Sequence, residues 1–265
     1  AEKHNGDIAH LADIPIPTAD EPRYQRVHRV LRRYDEHLTE AEREFLKLFS
    51  AFRTPVHEDA FEKVFAPLLS KSTAKNAKDA KKKPGFLSAL SGLRGSKIPT
   101  PNYQLLITNL LAYRILRHDA ASQTYTAHPL VRNHYLAILT RGDSTEQHDV
   151  HGIIKDYYLS LAGDTPQYPT LDDLKPLIEV VHHACQAGAY DEANKIRRER
   201  ITQNDKRVLE HQLGAYETEL ALMVEFFING DFSQEPQVSD ASAKRWILNT
   251  VGFCLMSLGR LPEAV

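Results

Sequence analysis

From Val150 to Leu258 the apolar residues of this 265-residue chain recur in helical steps, and no alternating strand pattern interrupts them. Val150, Ile153, Ile154, Tyr157 and Leu161 stand at i, i+3, i+4, i+7 and i+11, a spacing that gathers them on one helix face. Leu174, Leu177, Ile178, Val181 and Cys185 form a second stripe, behind Thr170 and Asp173 as a capping pair. Leu209, Leu213, Tyr216, Leu220, Val224 and Phe227 form a third; Ile247, Thr250, Val251, Cys254, Leu255 and Leu258 form a fourth. Such a chain is mainly α.

The first half adds a little strand. Residues 1–22 carry Pro15, Pro17 and Pro22 without periodicity and read as an extended connector. Helical spacing starts near Tyr24, with Val27, Leu31 and Tyr34 on one face. Thr39 is placed to N-cap a second helix that buries Ala41, Phe45, Leu48 and Phe49 and is broken by Pro55. Phe61, Val64, Phe65 and Leu68 predict a third, and Tyr103 to Leu116 a fourth held by Leu106, Leu110 and Tyr113. Ile115 to His118 and Thr124 to Ala127 read as two short strands around a polar turn. Pro129 then opens a helix, where its missing donor costs nothing, and Leu130, Val131, His134, Tyr135 and Ile138 continue it. This order is that of a winged-helix domain over residues 23–140, with a helical array from 145 to 265.

Charge narrows the function. Lys and Arg number 33 against 35 Asp and Glu, a net charge of −2 that argues against a nucleic-acid binder working through bulk electrostatics. The exception is a Lys-rich insert over 71–100, whose Lys81, Lys82 and Lys83 are the candidate phosphate or nucleic-acid contacts. Its Ala, Ser and Asn content and Pro84-Gly85 are those of a solvated, flexible loop. A DNA-binding winged helix would present the Tyr103–Leu116 helix to the major groove, yet that helix is apolar and has no basic residue before Arg114. It suits a protein partner, not a specific nucleic acid.

Catalytic signatures are missing. There is no Gly-x4-Gly-Lys-Ser/Thr loop, no Gly-x-Ser-x-Gly elbow and no His-Glu-x-x-His pair, so the chain reads as non-catalytic and without a cofactor of its own. His148 and His151, and His182 and His183 beside Cys185, invite a metal; zinc needs three or four convergent ligands, and these histidines read as solvated or core residues instead. Two cysteines and no apolar run of roughly 18–20 residues point to a reducing, cytoplasmic setting without a membrane span.

A faint repeat runs through the array. Ala187-Gly188-Ala189-Tyr190-Asp191-Glu192-Ala193 returns as Leu258-Gly259-Arg260-Leu261-Pro262-Glu263-Ala264, and Asn229-Gly230-Asp231-Phe232 is a degenerate turn between them. The 71-residue interval between Gly188 and Gly259 is close to twice the ~34-residue tetratricopeptide period, which these segments resemble. The chain opens on Ala1 and stops at Val265 just after a helix start, and is expected to be an excerpt of something longer, its array cut at the C-terminus.

The most specific segment is Tyr125-Thr126-Ala127-His128-Pro129-Leu130-Val131-Arg132. It resembles the winged-helix end of the STAND signal-transduction ATPases of NB-ARC and NACHT type, whose Met-His-Asp-Leu-Val segment lies at this strand-to-helix junction. His128, Leu130 and Val131 match; Ala127 stands in place of Met and Pro129 in place of Asp. Arg33-Tyr34, Leu38, Glu44-Phe45-Leu46, Phe49 and Phe52-Arg53-Thr54-Pro55-Val56 look like the family's helical opening of this domain, and the Gly188 and Gly259 segments look like the arrays attached to many bacterial members. The resemblance implies that His128 senses the β-phosphate of ADP held by an ATPase domain of the parent protein. It also implies that the array takes a protein or peptide partner, and that the whole is regulatory.

Overall fold

The computed structural model describes residues 35–69 and 103–263. The expected connector 1–22, the helix from Tyr24, and the insert 71–100 with Lys81, Lys82 and Lys83 lie outside the described residues. What is described is mainly helical, with a small three-stranded antiparallel sheet.

Helix α1, Glu40–Ala51, starts on a capping box: the Thr39 hydroxyl accepts from the Glu42 amide at 3.3 Å, and the Glu42 carboxylate accepts from the Thr39 amide at 2.8 Å. It buries Phe45, Leu46, Leu48 and Phe49, and Phe45 stacks on Phe65 with centroids 4.8 Å apart. Strand β1, Val56–His57, follows; then helix α2 over 59–69, wound as a π-turn at Phe61–Phe65. Helix α3, Tyr103–Ala112, stops short of the expected Leu116 because Arg114 adopts φ 57° and the Ile115 amide returns to the Leu110 carbonyl at 2.9 Å. Strand β2 therefore opens at Leu116, running to Asp119, and β3 spans Thr124–Ala127. The sheet order is β1–β3–β2, with Val56 opposite Tyr125 and Leu116 opposite Ala127. Two residues carry no alternation to read, so β1 exists only by pairing with the central strand.

Helix α4, Pro129–Arg141, packs along α1 through Tyr135 and Leu139; Leu130 and Ile138, expected on that stripe, are 37% and 40% exposed. Asp143 caps α5, Ser144–Leu161, and Thr170 with Asp173 forms the expected capping box on α6, Leu171–Gln186. Helix α7 begins at Tyr190–Ile196 and runs on through a π-turn at Arg197–Ile201. The third apolar stripe is not one helix: Val208–Gln212 is a separate π-turn, Gly214 takes φ 60°, and α8 spans Tyr216–Val224. Helix α9, Ala241–Ser257, carries the fourth stripe.

Two apolar cores result. The first gathers Phe45, Phe52, Phe61, Phe65, Tyr125, Tyr135 and Ile154; the second gathers Val181, Ala184, Ile201, Leu209, Met223, Phe226, Ile247 and Cys254. Helix α6 serves both, Val180 facing the first core and Val181 the second.

The two sequence-matched turns share one geometry. Helix α6 ends on Ala187 and Gly188 (φ 76°), with Gly188 N–H bonded to the Cys185 carbonyl at 2.9 Å and Ala189 N–H to Ala184 at 2.8 Å. Helix α9 ends on Leu258 and Gly259 (φ 74°), with Gly259 N–H bonded to Met256 at 3.0 Å and Arg260 N–H to Leu255 at 2.8 Å. The Asn229–Gly230 segment is different, a 3₁₀ turn that closes no helix end.

Candidate functional site

His128 stands where β3 gives way to α4. Its Nδ1 accepts the Leu130 amide at 3.2 Å, and Pro129 supplies the first helical residue. An Nδ1 that accepts leaves the ring hydrogen on Nε2, so exposed His128 offers a side-chain N–H at the start of a 13-residue helix; Pro129 has no N–H and the Leu130 and Arg132 amides are held by His128 itself, which leaves the Val131 amide beside it. That donor set fits a phosphate oxygen. Four residues after His128, the Arg132 guanidinium donates to the Phe52 carbonyl at 2.8 Å and fixes α4 against the end of α1.

Beside Phe52 lies a cluster of charged and polar side chains centred on Arg53. Arg53 donates to both oxygens of Glu179 on α6, at 2.9 and 3.3 Å, and to Glu225 at the end of α8, at 3.2 Å. Glu225 also meets His182 Nδ1 at 2.7 Å and accepts from Gln186 at 3.2 Å. Burial pushes the Glu225 carboxyl up, but His182, Arg53 and Gln186 together hold it below its ordinary value. Tyr158 shares a 2.7 Å hydrogen bond with Thr54, and Tyr157 donates to Asp59 at 2.7 Å. Against the cost of burial, donors from Lys63, Tyr157 and His57 keep Asp59 down at about 2.

The histidines come together here in a way their spacing does not reveal. His183 leaves α6 toward α5 and meets His151, Nδ1 to Nδ1, at 2.8 Å. Burial, then the neighbouring His182 and His148, drive His151 down to about 3; burial, then His182, His151, Arg53 and Arg132, drive His183 well below its ordinary value. Both rings are neutral, one donating and one accepting. His183 Nε2 has no hydrogen-bond partner and lies 3.8 Å from Glu179. Such a pair has no open position for proton transfer to a substrate. It is a packing device.

A second buried charge pair sits in the other core. Arg197 and Glu219, 1% and 0% exposed, are joined by a single 3.0 Å hydrogen bond, and the Arg197 guanidinium lies 4.1 Å from the Trp246 ring centre. Arg197 Nε and Glu219 Oε2 have no partner. Burial raises Glu219 to about 6, with Arg197 pulling the other way.

Among the described residues, no group of three or more His, Cys, Asp and Glu is arranged to hold a metal ion, and no helix is long and apolar enough to cross a membrane. Position explains what was missed. His151 follows Val150 on a buried stripe, and Glu179 stands four residues before His183 on another; polar residues at core positions of adjoining stripes were the available signal. Neither a family model, a curated protein nor a solved structure matches the chain significantly.

Proposed function

We propose that this chain is the regulatory, non-catalytic portion of a STAND-type signalling ATPase, a winged-helix unit joined to a tetratricopeptide-like sensor array. The observation that carries the reading is the placement of His128. It directly follows the central strand of a β1–β3–β2 sheet in the order helix–strand–helix–helix–strand–strand, and it offers an exposed donor at a helix start. In the parent protein that donor would hold a phosphate oxygen of ADP bound by the ATPase domain, while the array engages a protein or peptide partner. Coupling the two requires each ligand to favour one domain arrangement, and the Arg53–Glu179–Glu225 junction supplies a direct connection between winged unit and array. DNA binding is the weaker alternative: the exposed positions of α3 include Gln104, Leu105, Thr108 and Ala112 and carry no positive charge.

The test is ADP release from the parent protein with His128→Ala. Loss of a charge-assisted hydrogen bond worth about 1.5–3 kcal/mol gives at least tenfold faster release and a raised basal output. Unchanged release and unchanged output would reduce His128 to a local cap.

A further inference from the structure

A cavity of about 240 Å³ lies between α6 and α8, beside the Arg53 junction; its lining includes Arg53, Ile178, Glu217, Thr218, Ala221 and Glu225. Glu217, Ala221 and Glu225 stand at i, i+4 and i+8 along α8 and its last turn, so one wall is a single line of side chains about 12 Å long.

The two ends of that wall differ in chemistry. Glu225 is already engaged by Arg53, His182 and Gln186. Glu217, exposed at the other end, has no hydrogen bond or ion pair among the described residues. The Arg53 guanidinium gives three N–H groups to Glu179 and Glu225, which leaves two of its five on a side chain 33% exposed. Between the ends, half-buried Ile178 and exposed Ala221 are apolar. An unpaired carboxylate, an apolar floor and a spare donor therefore follow one another through one cavity.

We infer that this cavity receives one basic residue, arginine or lysine, of the array's protein partner. The cationic head reaches Glu217, the aliphatic stem lies over Ala221 and Ile178, and the backbone carbonyl of the same residue accepts from Arg53. Charge selects the guest: the lining holds two carboxylates against one guanidinium, and that guanidinium is shared with Glu179. An acidic guest would be repelled along the whole wall. Volume sets the size, since the cavity falls below the roughly 300–1,000 Å³ of small-molecule pockets and takes a side chain instead. Long basic side chains suit such a slot because their stems bury along apolar surface while the charged head stays in water. The inference rests on the array half of the function proposed above and adds the chemistry of the partner. It also gives that partner a contact on Arg53, the residue that joins the winged unit to the array.

The experiment titrates the full chain with N-acetylarginine amide and follows the amide resonances of Ile178, Thr218 and Ala221 by NMR. These shift and saturate with a Kd of about a millimolar, the range open to a ligand of this size. The citrulline analogue keeps the shape and loses the charge, and binds about threefold weaker or less tightly still. Butylguanidinium keeps head and stem but lacks the carbonyl, and binds at least about twofold weaker. Glu217→Gln brings N-acetylarginine amide to the level of its citrulline analogue, whereas Glu199→Gln, on α7, leaves it unchanged. Ala221→Leu fills the floor and abolishes the shifts. Equal binding of arginine and citrulline, of the amide and butylguanidinium, or of wild type and Glu217→Gln overturns the proposal. So does tighter binding of N-acetylglutamate amide, which would make Arg53 the seat of an acid. A dimer at tens of micromolar that N-acetylarginine amide dissociates would give the cavity to a second copy and overturn the partner assignment. All of these readouts concern the cavity alone, so the His128 experiment stands or fails separately.

Discussion

His151 and His183 meet nitrogen to nitrogen at 2.8 Å, in a core that leaves them 2% and 0% exposed. One proton lies between them and there is no room for a second charge. Unfolding releases both rings to titrate near 6.5, whereas the folded His151 resists until about 3. The folded state therefore has its full stability above pH 6.5 and loses it as pH falls, by up to about 1.4 kcal/mol per pH unit through His151 until about 3, and in the same direction through His183, which is also held well below its ordinary value. Glu219, raised to about 6, acts with the opposite sign between 4.5 and 6. Comparing the chain with a His151→Phe/His183→Phe variant cancels that term. Chemical denaturation between pH 7.5 and 5 gives a steep slope for the first and a flattened one for the second; equal slopes would place the acid sensitivity elsewhere.

Arg53 ties two cores. Its loss strips Glu179, 6% exposed, of both hydrogen bonds from a guanidinium and leaves it the neighbouring Arg132 charge and the His183 ring. Arg53→Met destabilises by about 2–3 kcal/mol in urea denaturation, below the value for a fully buried pair because the Arg53 side chain is 33% exposed. Adding Glu179→Gln recovers part of the loss, and a double-mutant cycle measures the coupling.

Arg197 and Glu219 are more expensive to separate. Arg197→Leu or Glu219→Leu alone costs about 3–5 kcal/mol, since each leaves one charge buried and unpaired. The Arg197→Leu/Glu219→Leu double variant costs much less than either, because two desolvated charges leave together. A double variant as unstable as the sum of the singles refutes this account of the pair.

Two glycines should respond in opposite directions. Gly188 needs its φ of 76°, although a Cβ there would have room, 3.7 Å from His148; Gly188→Ala costs about 1–2 kcal/mol by conformation alone. Gly152, within α5 and with nothing inside 4 Å of its would-be Cβ, gains about 0.5–1 kcal/mol as Gly152→Ala. Thermal melts of the two variants check both signs.

His128→Ala in this chain removes one exposed cap, from an imidazole to Leu130. Its folding cost is about 1 kcal/mol or less. A larger loss in equilibrium denaturation would make the residue a structural support before anything else.

What could be read from the sequence was local. Thr39, Thr170, Pro129, Gly188 and Gly259 announce helix ends because each satisfies or avoids a backbone bond within a few residues of itself. Val56–His57, His151 with His183, and Arg53 with Glu179 and Glu225 depend on partners 32 to 172 residues away, and no spacing encodes them. The candidate site divides the same way. The cap at His128 was legible in its own five residues, whereas the junction beside it is made entirely of long-range contacts.

The Arg132 bond to Phe52 acquires a mechanical meaning from the residue that follows Phe52. Arg132 is one turn into α4, its amide held by the His128 carbonyl at 3.0 Å. Its guanidinium grips the Phe52 carbonyl, and Arg53, across a single peptide unit, grips α6 and the end of α8. The start of α4 and the contacts to α6 and α8 thus meet at one peptide unit, Arg132 holding its carbonyl and Arg53, the residue beyond it, holding Glu179 and Glu225. Shifting the start of α4 relative to α6 therefore requires breaking one of those bonds or turning the Arg53 side chain.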